Sequence, residues 1–143
     1  MRKVSFFIAG CFVLALAIGV FGQARNLDAI MKEVGPLWTG GIGARGGGPL
    51  EGATPDTPKV AADATKLESL FKEAEAEFTK LKMADAAGMA KNVADAAGNL
   101  AKEAKTGKIG DAKAAKAAIG QCKGCHDKYR ESDGAGGYKL KAQ

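Results

Sequence analysis

Two cysteines three positions apart, followed at once by the chain's single histidine, form the run Cys122-Lys123-Gly124-Cys125-His126. On a helix, residues i and i+3 share a face, so both thiols can reach one edge of a flat macrocycle. The next residue offers an imidazole nitrogen to a metal at the centre of that macrocycle. C-x-x-C-H is the attachment pattern of haem c: each sulfur adds to one vinyl group, and His126 becomes the proximal ligand of the iron. Two other chemistries use C-x-x-C. A thioredoxin-like redox pair expects a βαβ setting, and no strand pattern flanks this one. Zinc asks for four ligands, and the one further cysteine, Cys11, lies in an apolar leader. Covalent haem attachment is the preferred reading.

Helices must carry such a motif, and the periodicity supplies them. The chain is rich in Ala, Lys, Glu and Asp and has few aromatic residues, a balance that favours helix. Leu27, Ile30, Met31 and Val34 follow helical spacing after a potential cap at Asn26, and Gly35-Pro36 should end or kink that helix. A second helix is expected over 59–82, with Val60, Ala64, Leu67, Phe71, Ala74, Phe78 and Leu81 in one stripe. A third is expected over 85–106, with Ala86, Ala90, Val93, Ala97 and Leu100 inward and Gly107 as its C-cap. A fourth starts near Asp111 and carries Ala112, Ala115, Ile119, Cys122, His126 and Tyr129 on one stripe. Residues 40–58 read as a Gly/Pro-rich connector; they lack the Gly-Lys-Ser/Thr ending of a phosphate loop. Residues 134–143 read as a flexible tail. The sum is an all-α chain, an antiparallel four-helix bundle whose facing helices house one covalent haem c. Its alanine-rich faces permit close helix approach or leave room for a flat cofactor, and the chain without haem should fold poorly.

The start of the chain agrees with that chemistry. Arg2 and Lys3 precede an uncharged apolar run from Phe6 to Phe21, and Gly22-Gln23-Ala24 supplies small residues for cleavage. Residues 1–24 thus read as a secretory signal, with 25–143 as a single haem domain. The apolar run is short for a membrane span, so no stable insertion is expected after cleavage. In bacteria haem c is ligated on the far side of the cytoplasmic membrane, and a periplasmic location is expected. The net charge of +5 is mild, and lysines alternate with acids along the helices, which argues against nucleic acid as a partner. Lys123, Lys128 and Arg130 gather around the motif, either as ordinary helix surface or as a docking rim for an acidic redox partner.

The whole pattern resembles the class II cytochromes c, the cytochrome c′ family. The likeness spans the helical domain after the leader, and its most specific stretch is Cys122 to Arg130, C-K-G-C-H-D-K-Y-R, near the end of the last helix. In mitochondrial-type cytochromes c the motif lies near the start. The resemblance implies one of two iron states. Many members are five-coordinate, with an apolar side chain of the first helix closing the distal face, and bind nitric oxide or carbon monoxide. Others take a methionine of the first helix as sixth ligand. Leu27 to Gly35 resembles the methionine-ligated kind, with Met31 at the distal position, where a thioether favours ferrous iron and electron transfer. Met31 also sits on the apolar stripe, where methionine serves equally as core filler, and Ile30 is the alternative distal lid. Gly35-Pro36 makes the first helix shorter than in the family. The resemblance also implies a homodimer.

The expected function is therefore a periplasmic electron carrier exchanging electrons with redox partner proteins; the alternative is a five-coordinate haem protein that binds small gases. An enzymatic role such as a peroxidase is disfavoured, because no second histidine is present to act as distal acid–base.

Overall fold

A computed structural model describes residues 26–42, 56–107, 109 and 120–141 of the chain. Four α-helices lie within them: α1 (Leu27–Leu37), α2 (Thr57–Lys80), α3 (Ala84–Lys105) and α4 (Cys122–Tyr129). A π-helical turn (Trp38–Ile42) prolongs α1, and two short strands, β1 (Arg130–Ser132) and β2 (Tyr138–Leu140), follow α4. The expected leader (1–24), Arg25, the middle of the connector (43–55) and the start of the fourth helix, with Asp111, Ala112, Ala115 and Ile119, lie outside the described residues.

α1 and α2 each begin on a side-chain cap, whereas α3 has none. Asn26 accepts the Ala29 N–H at 2.8 Å, and Asp56 accepts the Lys59 N–H at 3.1 Å. These bonds satisfy donors that a helix N-terminus otherwise leaves unpaired. Between α2 and α3 the chain reverses in three residues. Met83 N–H donates to the Phe78 carbonyl and Lys82 N–H to the Thr79 carbonyl, while Lys82 takes a left-handed φ of 58°. This is a Schellman closure with lysine where glycine is usual, and the buried pair Phe78 and Met83 supplies its apolar contact. The tight reversal makes α2 and α3 an αα-hairpin that packs along its length. Val60, Ala64, Leu67, Phe71, Ala74 and Phe78 of α2 are buried, as are Ala86, Ala90, Val93, Ala97 and Leu100 of α3. Alanines on both faces let the helices approach closely, and Leu67 and Leu100 fill the space between them without exposure. Gly107 closes α3 at a φ of 74°, the C-cap expected of it.

Four features depart from expectation. Leu81 is 52% exposed, because α2 ends at Lys80 and the reversal turns Leu81 outward. Gly35-Pro36 does not end α1: Pro36 lies inside it, and Trp38 N–H bonds the Gly35 and Val34 carbonyls beyond it. The Thr39 hydroxyl donates to the Gly35 carbonyl at 3.0 Å. Burial of Ile42, with Leu37 and Trp38 packed on the core, offsets the hydrogen bond that proline removes. The two ends of the expected 40–58 connector are also helical, residues 40–42 in the π turn and 57–58 in α2. Finally, residues 134–141 are not a loose tail. β2 pairs antiparallel with β1, Arg130 opposite Leu140, Glu131 opposite Lys139 and Ser132 opposite Tyr138.

Candidate functional site

α4 carries the C-x-x-C-H run. It has no side-chain N-cap and begins with turn-type bonds from Lys123 N–H to the Gly120 carbonyl and Gly124 N–H to the Gln121 carbonyl. Two turns of helix seldom persist alone in water, so its supports lie elsewhere. Tyr129, at 6% exposure, is its one buried residue. Cys122 and Cys125, one turn apart, are partly buried and rest against the core. Both are thiols with no disulfide between them. His126 follows, also partly buried.

The electrostatics keep all three groups neutral. Burial, with the neighbouring Cys125 adding to it, pushes the Cys122 thiol up to about 11, and burial raises Cys125 in the same direction. Burial and then the positive charge of Arg130 hold the His126 imidazole below its ordinary value, against a smaller opposing pull from Asp127. At neutral pH the imidazole is therefore in the form that ligates metal. The donor set fits haem c: two neutral thiols on one helix face at the core's edge, and a neutral imidazole beside them. Among the described residues no three His, Cys, Asp or Glu side chains converge to hold a metal ion. Zinc would need such convergence, whereas porphyrin-bound iron asks the protein only for axial ligands.

The basic residues around the motif are engaged. Lys123 pairs with Asp127 at 2.5 Å, one turn along the same helix. Lys128 pairs with Asp85 of α3 and lies 5.0 Å from the centre of the Tyr129 ring. The Arg130 guanidinium stacks 3.8 Å from the centre of the Tyr138 ring, across the strand pair. These charges are exposed yet partly neutralised, which weakens the positive field a docking rim would offer.

Met31 is partly buried and packs against the core from α1, while its neighbour Ile30 is fully buried. α1 packs on α2 and α4 packs on α3, so the candidate distal and proximal residues lie on helices held by different members of the central hairpin. No family model, curated protein or solved structure matches the chain. Among the described residues no helix is long and apolar enough to cross a membrane.

Sequence reasoning overlooked two contributors. Asp85 binds α4 from the first turn of α3, and Lys141 closes the end of α4, donating its backbone N–H to the Tyr129 carbonyl and its ammonium to the Asp127 carbonyl. An acid in a helix's first turn reads from sequence as a response to the helix dipole. Its partner 43 residues away carries no sequence signal.

Proposed function

We propose that the chain is an exported c-type cytochrome that carries electrons through one covalent haem c. The observation that carries this reading is the arrangement on α4: two partly buried thiols one turn apart against the core, with a neutral imidazole next in sequence. Cys122 and Cys125 would each add their S–H across one vinyl group, giving two thioethers, and His126 would hold the iron. The bound haem supplies a one-electron ferric/ferrous couple. The protein's own part is to anchor that group, to exclude water with the apolar faces of α2 and α3, and to supply axial ligands. A last helix ending in α4 would complete an antiparallel four-helix bundle with α1, α2 and α3. Residues 1–24 would direct the chain to the periplasm, where redox proteins are its partners and a homodimer is its expected form.

Met31 is the proposed sixth ligand. A second reading is favoured by one observation: at that turn of α1 it is Ile30, not Met31, that is wholly buried. With Ile30 as an apolar lid the iron would be five-coordinate and open to small gases. Met31→Ala separates the two readings. Conversion of a low-spin visible spectrum to a high-spin one identifies the thioether as ligand, and an unchanged spectrum assigns Met31 to packing. Cys122→Ala with Cys125→Ala tests the attachment itself: the double variant should lose all haem that survives denaturation, and retention of covalent haem would refute the proposal.

A further inference from the structure

α4 and the hairpin that follows it are each too small to persist alone. A helix of eight residues is below the length that is stable in water, and α4 has Gly124 in its interior and no side-chain N-cap. A lone two-stranded hairpin is marginal as well, and every residue of β1 and β2 is exposed. The two are joined at the carbonyl end of α4, where helix carbonyls run out of partners. Arg130 N–H, at the start of β1, donates to the His126 carbonyl. Just beyond β2, Lys141 N–H donates to the Tyr129 carbonyl at 2.9 Å and its ammonium to the Asp127 carbonyl at 2.6 Å. That ammonium also sets a positive charge at the negative end of the helix dipole. Within the hairpin, Arg130 stacks on the Tyr138 ring and Lys139 pairs with Glu131 at 3.4 Å. The turn between the strands is fixed locally. The Asp133 carboxylate accepts the Ala135 and Gly137 N–H groups, and Gly134 and Gly136 take positive φ.

We propose that the last turn of α4 and the β1–β2 hairpin form one cooperative strap: the turn at Asp133 brings Lys141 back onto the helix end, and the helical turn that carries His126 winds and unwinds together with the two strands. Tyr129 is the one buried residue within this unit. Opening it therefore costs far less than separating α2 from α3, and it opens before they do. The strap would keep the C-x-x-C-H helix formed before any group is bound to it. The inference goes beyond the haem reading and does not rest on it.

Amide hydrogen exchange of the full-length chain, followed residue by residue, tests the strap. The double variant Asp133→Ala with Gly136→Val breaks the turn and leaves in place every group that bonds α4, since valine is strained at a φ of 87°. Exchange should quicken by about tenfold, the effect of one or two lost hydrogen bonds, at residues 128–130 and at 139–141 alike. The inner amides of α2 and α3 should keep their wild-type rates. Lys141→Ala, which removes the ammonium alone, should quicken the same two segments by a smaller factor. Acceleration confined to 139–141, or absent from both segments, would overturn the inference, as would equal acceleration throughout α2 and α3. A chain ended after Asp133 has no hairpin at all, and wild-type exchange at 128–130 in that chain would overturn it too. The readout is the same whether or not the chain carries haem, so failure of the haem reading does not decide this one.

Discussion

α2 and α3 hold one another through two full faces of buried side chains, whereas α4 buries Tyr129 alone, rests Cys122 and Cys125 against the core in part and is otherwise tied by polar contacts. The long hairpin is local in sequence, joined by a three-residue reversal, and its stability is that of apolar burial. α4 depends on partners far away in the chain: Asp85 from the start of α3 and Lys141 from the strand that returns along it. The lesson is that scaffold and site are stabilised by different physics. α1, α2 and α3 share one packed core. A haem bound through Cys122 and Cys125 would supply α4 with the apolar contact that its own residues lack.

The largest effect should come from breaking the hairpin. Leu67 is fully buried, and Leu67→Ala should cost about 2–5 kcal/mol, much of what a small domain has. Denaturant unfolding should show the loss in every spectroscopic probe. Tyr129→Ala should cost less, roughly 2 kcal/mol from lost apolar contact, and should act locally. Hydrogen exchange would check this: amides of α4 should lose protection while those of α2 and α3 keep theirs. Equal loss throughout would erase the distinction between the two regions. In the other direction, Lys82 occupies a left-handed conformation at a φ of 58°. Lys82→Gly should raise the thermal midpoint, by roughly 1 kcal/mol of relieved strain, without altering α4.

The smallest effect is a titration. Hydrogen bonds from Lys128 and then Tyr129 hold the Asp85 carboxyl below its ordinary value of 3.8. A carboxyl lowered in the folded state favours folding above its unfolded value, and the benefit disappears as pH falls through the folded one. The Asp85 contribution to the docking of α4 should thus be constant from neutrality to 3.8 and should fade below it. Amide shifts of 122–129 in an acid titration would record the change. Because the pair is exposed, added salt should weaken it as well.

The two regions also differ in how far the sequence revealed them. The stripes of α2 and α3 follow from helical spacing, since each inward position is apolar and each long helix is flanked by a legible turn or cap. Leu81 misled because periodicity says nothing about where a helix stops, and a lysine closed the helix where glycine would have announced the end. Pro36 misled because a local breaker was overridden by burial of Ile42 further along. The hairpin after α4 left only a weak trace. Its strands are three residues each and exposed, with Tyr138 at 57%, so alternation had no buried face to report. Its turn was nonetheless written in Asp133-Gly134. The Asp133 carboxylate accepts the Ala135 and Gly137 N–H groups, each at 2.8 Å, and Gly134 and Gly136 adopt φ values of 80° and 87°. At the candidate site, Cys122, Cys125 and His126 stand out in the sequence because the proposed covalent chemistry would fix both residue type and spacing. Asp85 and Lys141 do not, since a tertiary hydrogen bond fixes neither.

The most direct test of haem attachment is the intact mass and visible spectrum of the chain matured in a host with haem-ligation machinery. One haem added per chain, surviving denaturation and giving the bands of a c-type cytochrome that change on reduction, is the expected result. A chain of unmodified mass with no visible absorption, produced alongside a control cytochrome that is loaded normally, would contradict it.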